Sequence, residues 1–359
     1  RQQDYLKGEW QNLYTKNNLP IDHIISPEQE VAKAFHRRLI SPGTIDMVEL
    51  SEKRLKLIGF NCDKKCNLLG LNVRQLSEKF PKYLANILFI FRKDKKFVVN
   101  SSTIIEPDDL IYMVVETDHL SNVLREFGHE ELQANKVVII GGGNIGFALA
   151  QFIENSNTSI STELIEADKN RAEYLASQLE GVNITHGDGL ENQILEEVNI
   201  SEAGFCISVT EDDEVNILSS LLAKRAGANQ IMTLINNSSY SSLLTNIGVD
   251  NTIDPKFITI SKILEKVRGG IILSDYSIGE GFGEVIEAEI LSNSPLCNKN
   301  LKEINLPKGI RVGSIFRDDK IIIPNSQTIF QENDDIVFFA ETNCIKKLEK
   351  LLSTIESYA

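Results

Sequence analysis

Part of this chain is written twice. Phe91-Arg92-Lys93-Asp94-Lys95, followed by an apolar run and then Asn100-Ser101-Ser102-Thr103-Ile104, returns as Phe316-Arg317-Asp318-Asp319-Lys320 and Asn325-Ser326-Gln327-Thr328-Ile329. Asp109, Ile111, Glu116 and Thr117 return in the same register as Asp334, Ile336, Glu341 and Thr342. Upstream, Ile21-Asp22 through Pro27 is echoed by Val249-Asp250 through Pro255, with a small length difference in between. Such a repeat constrains the architecture first, because both copies must fold into the same unit. The runs Leu55–Phe60, Ile87–Phe91, Lys96–Val99 and Leu110–Val115 read as strands, and recur as Val285–Ile290, Arg311–Phe316, Lys320–Ile323 and Ile336–Ala340. A short helical pattern sits inside each set, around Val73–Glu78 and Leu301–Ile304, and a helix closes each, at His119–Phe127 or Asn343–Leu352. These are small α+β modules that bury little core alone, so each is expected to pack against its twin or another partner.

The residues between the copies, 136 to 235, have no earlier counterpart, so the chain reads as starting inside a repeat whose first nucleotide-binding domain would precede Arg1. They carry the strongest chemical signal. Lys136–Ile140 is an apolar run suited to a central parallel strand, and Gly141-Gly142-Gly143-Asn144-Ile145-Gly146 follows it at once. A helical pattern, Phe147–Glu154, and a second strand ending at Glu166 complete a strand, G-x-G-x-x-G, helix, strand, acid sequence. Gly141 permits the tight turn, Gly143 lets backbone approach a pyrophosphate, and Gly146 lets helix and strand pack closely. The helix N-terminus supplies about half a positive charge to an anion. Glu166 can accept ribose hydroxyls and repels a 2′-phosphate, which favours NAD(H) over the 2′-phosphorylated cofactor, although Lys169 and Arg171 lie close behind. No Walker-type Gly-Lys-Ser/Thr is present.

Further strands are expected at Asn183–Thr185, Gly204–Val209 and Gln230–Leu234, with ligand contacts in the loops that follow them. Asp188, in His186-Gly187-Asp188-Gly189, is offered to the adenine side or serves as a turn acid, and Val209 and Thr210 close over ribose and phosphates. The cluster Glu211-Asp212-Asp213-Glu214 either complements the N-terminus of the next helix or senses a divalent cation near the phosphates. No metal ligand set is assigned. Cys62 and Cys66 stand four apart with no second pair, and five cysteines make no disulfide framework, which fits a reducing compartment. A net charge of −14 argues against nucleic acid, and no apolar run approaches the ~20 residues of a membrane span.

Taken with Val209-Thr210 and Asp213-Glu214-Val215-Asn216, the glycine motif and His186–Gly189 resemble the regulatory (RCK) domains of potassium conductance and transport proteins. The tandem layout is similar to that of the Trk-system potassium uptake family, TrkA. The resemblance implies an α/β fold, a Rossmann-type doubly wound parallel sheet plus two small α+β C-terminal modules. It divides the chain into 1–46, the tail and crossover helices of a first nucleotide domain; 47–128, the first small module; 136–250, the second nucleotide domain; 251–274, its crossover; and 275–359, the second small module. It implies a cytoplasmic gating subunit, peripheral at the inner face of the cell membrane. That subunit forms a homo-oligomeric ring under a membrane-embedded potassium channel or transporter subunit and responds to NAD(H), ATP or ADP. No catalytic residue is assigned, because a dehydrogenase needs a proton-transfer group at the nicotinamide and only His186 lies near the motif. An NAD-dependent oxidoreductase, or a cyclic-dinucleotide sensor acting through the small modules, are the alternatives.

Overall fold

The computed structural model describes residues 24–41, 43–62, 66–79, 83–93, 95–129, 135–156, 159–240, 243–244, 247–249, 251–267, 272–278 and 281–352. After α1 (Pro27–Leu39) come β1 (Asp46–Leu50), β2 (Leu55–Asn61), α2 (Val73–Lys79), β3 (Ala85–Arg92), β4 (Lys95–Val98), β5 (Leu110–Glu116) and α3 (Leu120–Glu126). The middle of the chain forms β6 (Lys136–Ile140), α4 (Asn144–Glu154), β7 (Ser161–Glu166), α5 (Lys169–Gln178), β8 (Val182–His186) and α6 (Asn192–Glu197). It continues with β9 (Phe205–Ser208), α7 (Asp213–Arg225), β10 (Gln230–Leu234), β11 (Thr252–Ile253) and α8 (Pro255–Val267). The last elements are β12 (Ile272–Ile278), β13 (Gly283–Glu289), α9 (Leu301–Ile304), β14 (Ile310–Arg317), β15 (Lys320–Ile322), β16 (Asp335–Glu341) and α10 (Ile345–Leu352). Two compact units result, one drawn from Arg1–Pro42 and Leu132–Ile260, the other from Gly43–Glu131 and Ser261–Ala359.

The first unit is built on a six-stranded parallel sheet in the order β8-β7-β6-β9-β10-β11. Strand direction of winding reverses between β6 and β9, which is where such sheets hold ligands. Strand β6 is apolar at successive positions because both faces are covered. Val137 and Ile139 enter one core with α4 and α1, while Val138 and Ile140 enter the other with Leu195 and Ala223. Helix α1 begins where the Ser26 hydroxyl accepts the Gln29 amide, and it buries Val31, Ala32, Phe35 and Leu39 beside Phe147 and Ala148. Arg38 Nη1 then donates to Asn251 Oδ1 at 2.9 Å and to the Thr252 carbonyl at 2.7 Å. The sheet thus runs past residue 250, where the sequence reading closed the domain. Its last strand, Thr252–Ile253, is too short to show a period.

The second unit holds two five-stranded antiparallel sheets, β1-β2-β5-β3-β4 and β12-β13-β16-β14-β15, so the repeat is reproduced strand for strand. Its most constant feature is an ion pair. Arg92 donates from Nε and Nη2 to the two oxygens of Asp109 at 2.6 and 2.8 Å, and Arg317 does the same to Asp334 at 2.6 and 2.7 Å. Both aspartates are fully buried, and the fork geometry of arginine matches a carboxylate at both oxygens. One face of each sheet covers its own helices and loops. The opposite faces meet in a shared core of Leu57, Phe89, Tyr112, Val114, Val285 and Phe339, with the Phe89 and Phe339 rings 4.3 Å apart. Each module therefore packs against its twin, as its small size requires. Strands β1 and β12 were not anticipated from sequence. Glu49 in β1 and Ser274 and Asp275 in β12 interrupt any apolar pattern there.

Candidate nucleotide-binding site

Backbone register brings the C-terminal ends of four strands together. Ile140 stands opposite Ile165 on one side and Ser208 on the other, and Glu166 opposite His186. The turn Gly141–Gly146 leaves β6 at this edge. Gly141 has φ +105°, a region that disfavours side chains, and an added Cβ would lie 2.9 Å from Thr210 Cγ2 and 3.0 Å from its amide nitrogen. An added Cβ at Gly146 would stand 1.9 Å from the Gly141 carbonyl oxygen, so turn and helix touch there. Gly143 differs: a Cβ built on it meets nothing within 4 Å. Nothing in the protein's own packing requires that glycine, and the space beside it opens at the edge where a pyrophosphate would approach.

Gly143 is also the N-cap of α4, and no side chain caps that end. The exposed Gly143 and Asn144 thus present first-turn amides to an anion without a competing acidic side chain, while Ile145 packs into the core below. Glu166 closes the other side. Its Oε2 accepts the Gly142 amide at 2.7 Å and its Oε1 the Asp168 amide at 2.8 Å. Each oxygen keeps further lone-pair capacity for a ribose hydroxyl.

The expected residues Gly141, Gly142, Gly143, Asn144, Ile145, Gly146, Glu166, Val209 and Thr210 therefore converge on one sheet edge. Asp188 stands one strand further out, exposed, with its Oδ1 accepting the Leu190 amide at 2.9 Å. It closes its own turn. His186, also exposed, sets Nε2 3.2 Å from the Ala167 carbonyl. The acidic cluster has structural tasks. Asp212 caps α7 by accepting the Val215 amide at 2.9 Å, and this bond holds its carboxyl below the usual range. Asp213 accepts the Asn236 and Asn237 amides at 2.9 and 2.8 Å, and Glu214 accepts the Tyr240 hydroxyl. Among the described residues no group of three or more His, Cys, Asp or Glu side chains is placed to hold a metal ion.

Two contributors were missed from sequence. Arg171 Nε donates to the Gly142 carbonyl at 2.8 Å, and its guanidinium stacks over Phe147 and Tyr174, so it braces the turn from outside. Asn216, fully buried on α7, accepts the Thr210 amide at 2.7 Å and hydroxyl at 2.8 Å through Oδ1. Its Nδ2 donates to the carbonyls of Thr210 and Leu234 at 3.0 and 3.1 Å. That one side chain fixes the loop against which Gly141 packs. Its signal in sequence is an Asn one helical turn past an N-cap Asp, on a face that also carries Ser219 and Ser220.

The TrkA-N domain family matches residues 137–255 and the TrkA-C domain family residues 285–353. The Trk system potassium uptake protein TrkA of Azorhizobium caulinodans is 37% identical over 351 residues, covering 98% of this chain and 77% of that protein. The Haemophilus influenzae protein of the same name is 33% identical over 355 residues, again covering 98% and 77%. Among solved structures, the crystal structure of the GsuK RCK domain aligns with TM-score 0.52 and 16% identity over 93% of this chain and 71% of that one. The GsuK channel aligns with TM-score 0.51 and 15% identity over 92% and 58%. At such identities the likeness is one of fold.

Proposed function

This chain belongs to the TrkA family of Trk system potassium uptake proteins, and from that premise we propose that it is the regulatory subunit of such a system, carrying a nucleotide switch at the β6 edge. The observation that supports the reading most directly is the open position at Gly143. It lies on an uncapped helix N-terminus, between a turn whose other glycines are held by contacts within the chain and a carboxylate at the end of β7. In this reading the first-turn amides of α4 bind the pyrophosphate of NAD(H), Glu166 accepts the ribose hydroxyls, and the loop at Val209–Thr210 lies over the phosphates. ATP and ADP share the same recognisable parts and compete for the site.

The subunit works at the inner face of the cell membrane, as a ring of copies beneath a membrane-embedded potassium-conducting subunit. No described helix is long and apolar enough to cross a membrane itself. A nucleotide moves the conducting subunit only so far as it binds one ring conformation more tightly than the other, and couplings of this kind amount to about 1–3 kcal/mol. In this reading the site binds without turnover, and His186 serves its own loop, with Nε2 3.2 Å from the Ala167 carbonyl. Titration calorimetry with NADH, NAD, ATP and ADP tests the proposal. Saturable binding that is lost in Gly143→Ala supports it; a protein indifferent to all four ends it, and NADH oxidation with carbonyl substrates would replace it with an enzyme.

A further inference from the structure

Asn86 and Arg311 occupy the same position in the two copies of the repeat. Asn86 pairs with Val114 across β3 and β5, and Arg311 with Phe339 across β14 and β16. In both copies the ladder breaks two residues later at the same bulge, which holds Leu88 in the first module and Gly313 in the second.

Where the sheets meet, these positions find their own counterparts. Arg311 Nη2 donates to Asn86 Oδ1 at 3.1 Å, and Asn86 Nδ2 donates to the Gly313 carbonyl at 2.8 Å. A Cβ added to Gly313 would lie 3.1 Å from Leu88 Cδ2 and 3.3 Å from Val114 Cγ2. The fully buried Leu88 therefore sits over the place where the other copy has no side chain. Contact between equivalent positions is what a two-fold axis produces, and with two identical modules each side chain would face itself. The residues at this pseudo-axis differ in complementary ways: amide against guanidinium, leucine against glycine.

Like pairing is penalised in both directions. Two first modules would drive two Leu88 side chains into one space in a close-packed core. Two second modules would leave a void at Gly313 and bring two guanidiniums together. Arg311 already sits at a cost, its Nη groups donating to neutral oxygens of Asn86 and Val99 and its buried Nε without an acceptor. Burial pushes its guanidinium down to about 10. A second cation beside it would be repelled in a region of weak screening.

We propose that Asn86–Arg311 and Leu88–Gly313 form a pairing code that lets a first module pair only with a second one, so that like modules of neighbouring chains do not join when several copies assemble. The partner this surface fits is the unlike module, and specificity comes from the repulsive elements as much as from the attractive ones. The inference does not depend on the nucleotide reading.

Exchange of the pairs in the full chain tests it. Asn86→Arg and Gly313→Leu are each expected to lower Tm by several degrees, because each makes the two sides alike. The exchanged proteins, Asn86→Arg with Arg311→Asn and Leu88→Gly with Gly313→Leu, are expected to recover most of that loss. Neither Leu88 nor Gly313 has a positive φ, and Leu88→Gly removes the closest contact of a Cβ at position 313, leaving Val114 Cγ2 and the Val337 carbonyl at 3.3 Å to give by a few tenths of an ångström. Hydrogen exchange separates lost pairing from an unfolded module: in the single variants protection should fall along β3 and β14 while the core under α3 and α10 stays protected. Exchanged proteins as unstable as the summed single variants, or protection lost throughout a module, would overturn the code.

Discussion

The Gly142 amide donates to Glu166 Oε2 at 2.7 Å, joining the glycine turn to the acid of the next strand within the protein itself. Glu166 thus shapes the turn in addition to the ribose contact proposed for it. Glu166→Ala is expected to weaken NADH binding more than about tenfold, the size of one lost charge-assisted hydrogen bond. It should also lower stability by about 1 kcal/mol through the unpaired Gly142 amide. Calorimetry and urea unfolding read the two effects separately, and an unchanged affinity would remove Glu166 from the site.

The glycines of the turn should separate stability from binding. Gly143→Ala adds a methyl that meets nothing in the chain, so Tm is expected to stay within a degree or so of the parent while nucleotide affinity collapses. Gly146→Ala drives a methyl into the Gly141 carbonyl and should destabilise by about 1–3 kcal/mol or more. Unaltered NADH affinity in Gly143→Ala would mean that no phosphate lies against that position.

Asn216 holds the loop after β9 through four hydrogen bonds. Asn216→Leu leaves the buried Leu234 carbonyl and the part-buried Thr210 amide without this partner, the first costing about 1–3 kcal/mol and the second less. A large fall in the urea midpoint, with weaker nucleotide binding in whatever remains folded, is the expected result. A neutral effect would show the loop to be held by other contacts.

Asp335 faces Glu289 across β13 and β16. Burial, then the charges of Glu287, Glu289, Glu52 and Asp334, push its carboxyl up to about 6. Unfolded, it titrates near the usual ~3.9. Between these values the folded chain holds more proton, so the contribution of Asp335 to stability is present at low pH and lost as pH rises through about 6. Asp335→Asn should raise Tm at neutral pH, with the gain vanishing as pH approaches the unfolded value. A gain of equal size at both ends of the range would rule out titration of Asp335 as the cause.

The buried ion pairs of the two modules offer matched substitutions. Arg92 and Arg317 are each 21% exposed against partners at 0%. Asp334→Ala leaves the Arg317 guanidinium with only the Ile329 carbonyl and is expected to cost about 3–5 kcal/mol in chemical denaturation, whereas Asp109→Ala leaves Arg92 its ion pair with Glu106 and is expected to cost less. A cost below about 1 kcal/mol for Asp334→Ala would show that solvent already compensates the arginine.

Much of this architecture was legible in the residues. The ion pair explains why Arg92, Asp109, Arg317 and Asp334 stood out in the repeat: a buried carboxylate admits few substitutions. The glycine turn was readable because Gly141 and Gly146 answer to local backbone geometry. Helix α7 was harder. Its buried face carries Asp213, Asn216, Ser219, Ser220 and Ala223, while Ile217, Leu221 and Leu222 are only partly buried and Leu218 is 52% exposed, so the apolar spacing alone does not pick out the most buried side. Ser219 and Ser220 are satisfied by Ser208, and Ser220 also by Thr233, partners that only the folded sheet brings near. For the same reason Asn216 and Arg171 could not be assigned their bracing roles. Asn216 carries only the weak signal of its spacing from the N-cap Asp212, and Arg171 acts on a backbone carbonyl, which leaves no trace in side-chain patterning.

Helix α1 precedes the first small module in the chain yet completes the apolar layer beneath α4. During synthesis, at about 5–20 residues per second, its greasy stripe must wait on the order of seconds for α4 to be made. Until then whatever lies between the two helices is folded inside a loop that has yet to be tied. Slowing translation across that interval should therefore lower soluble yield even though the finished protein is unchanged.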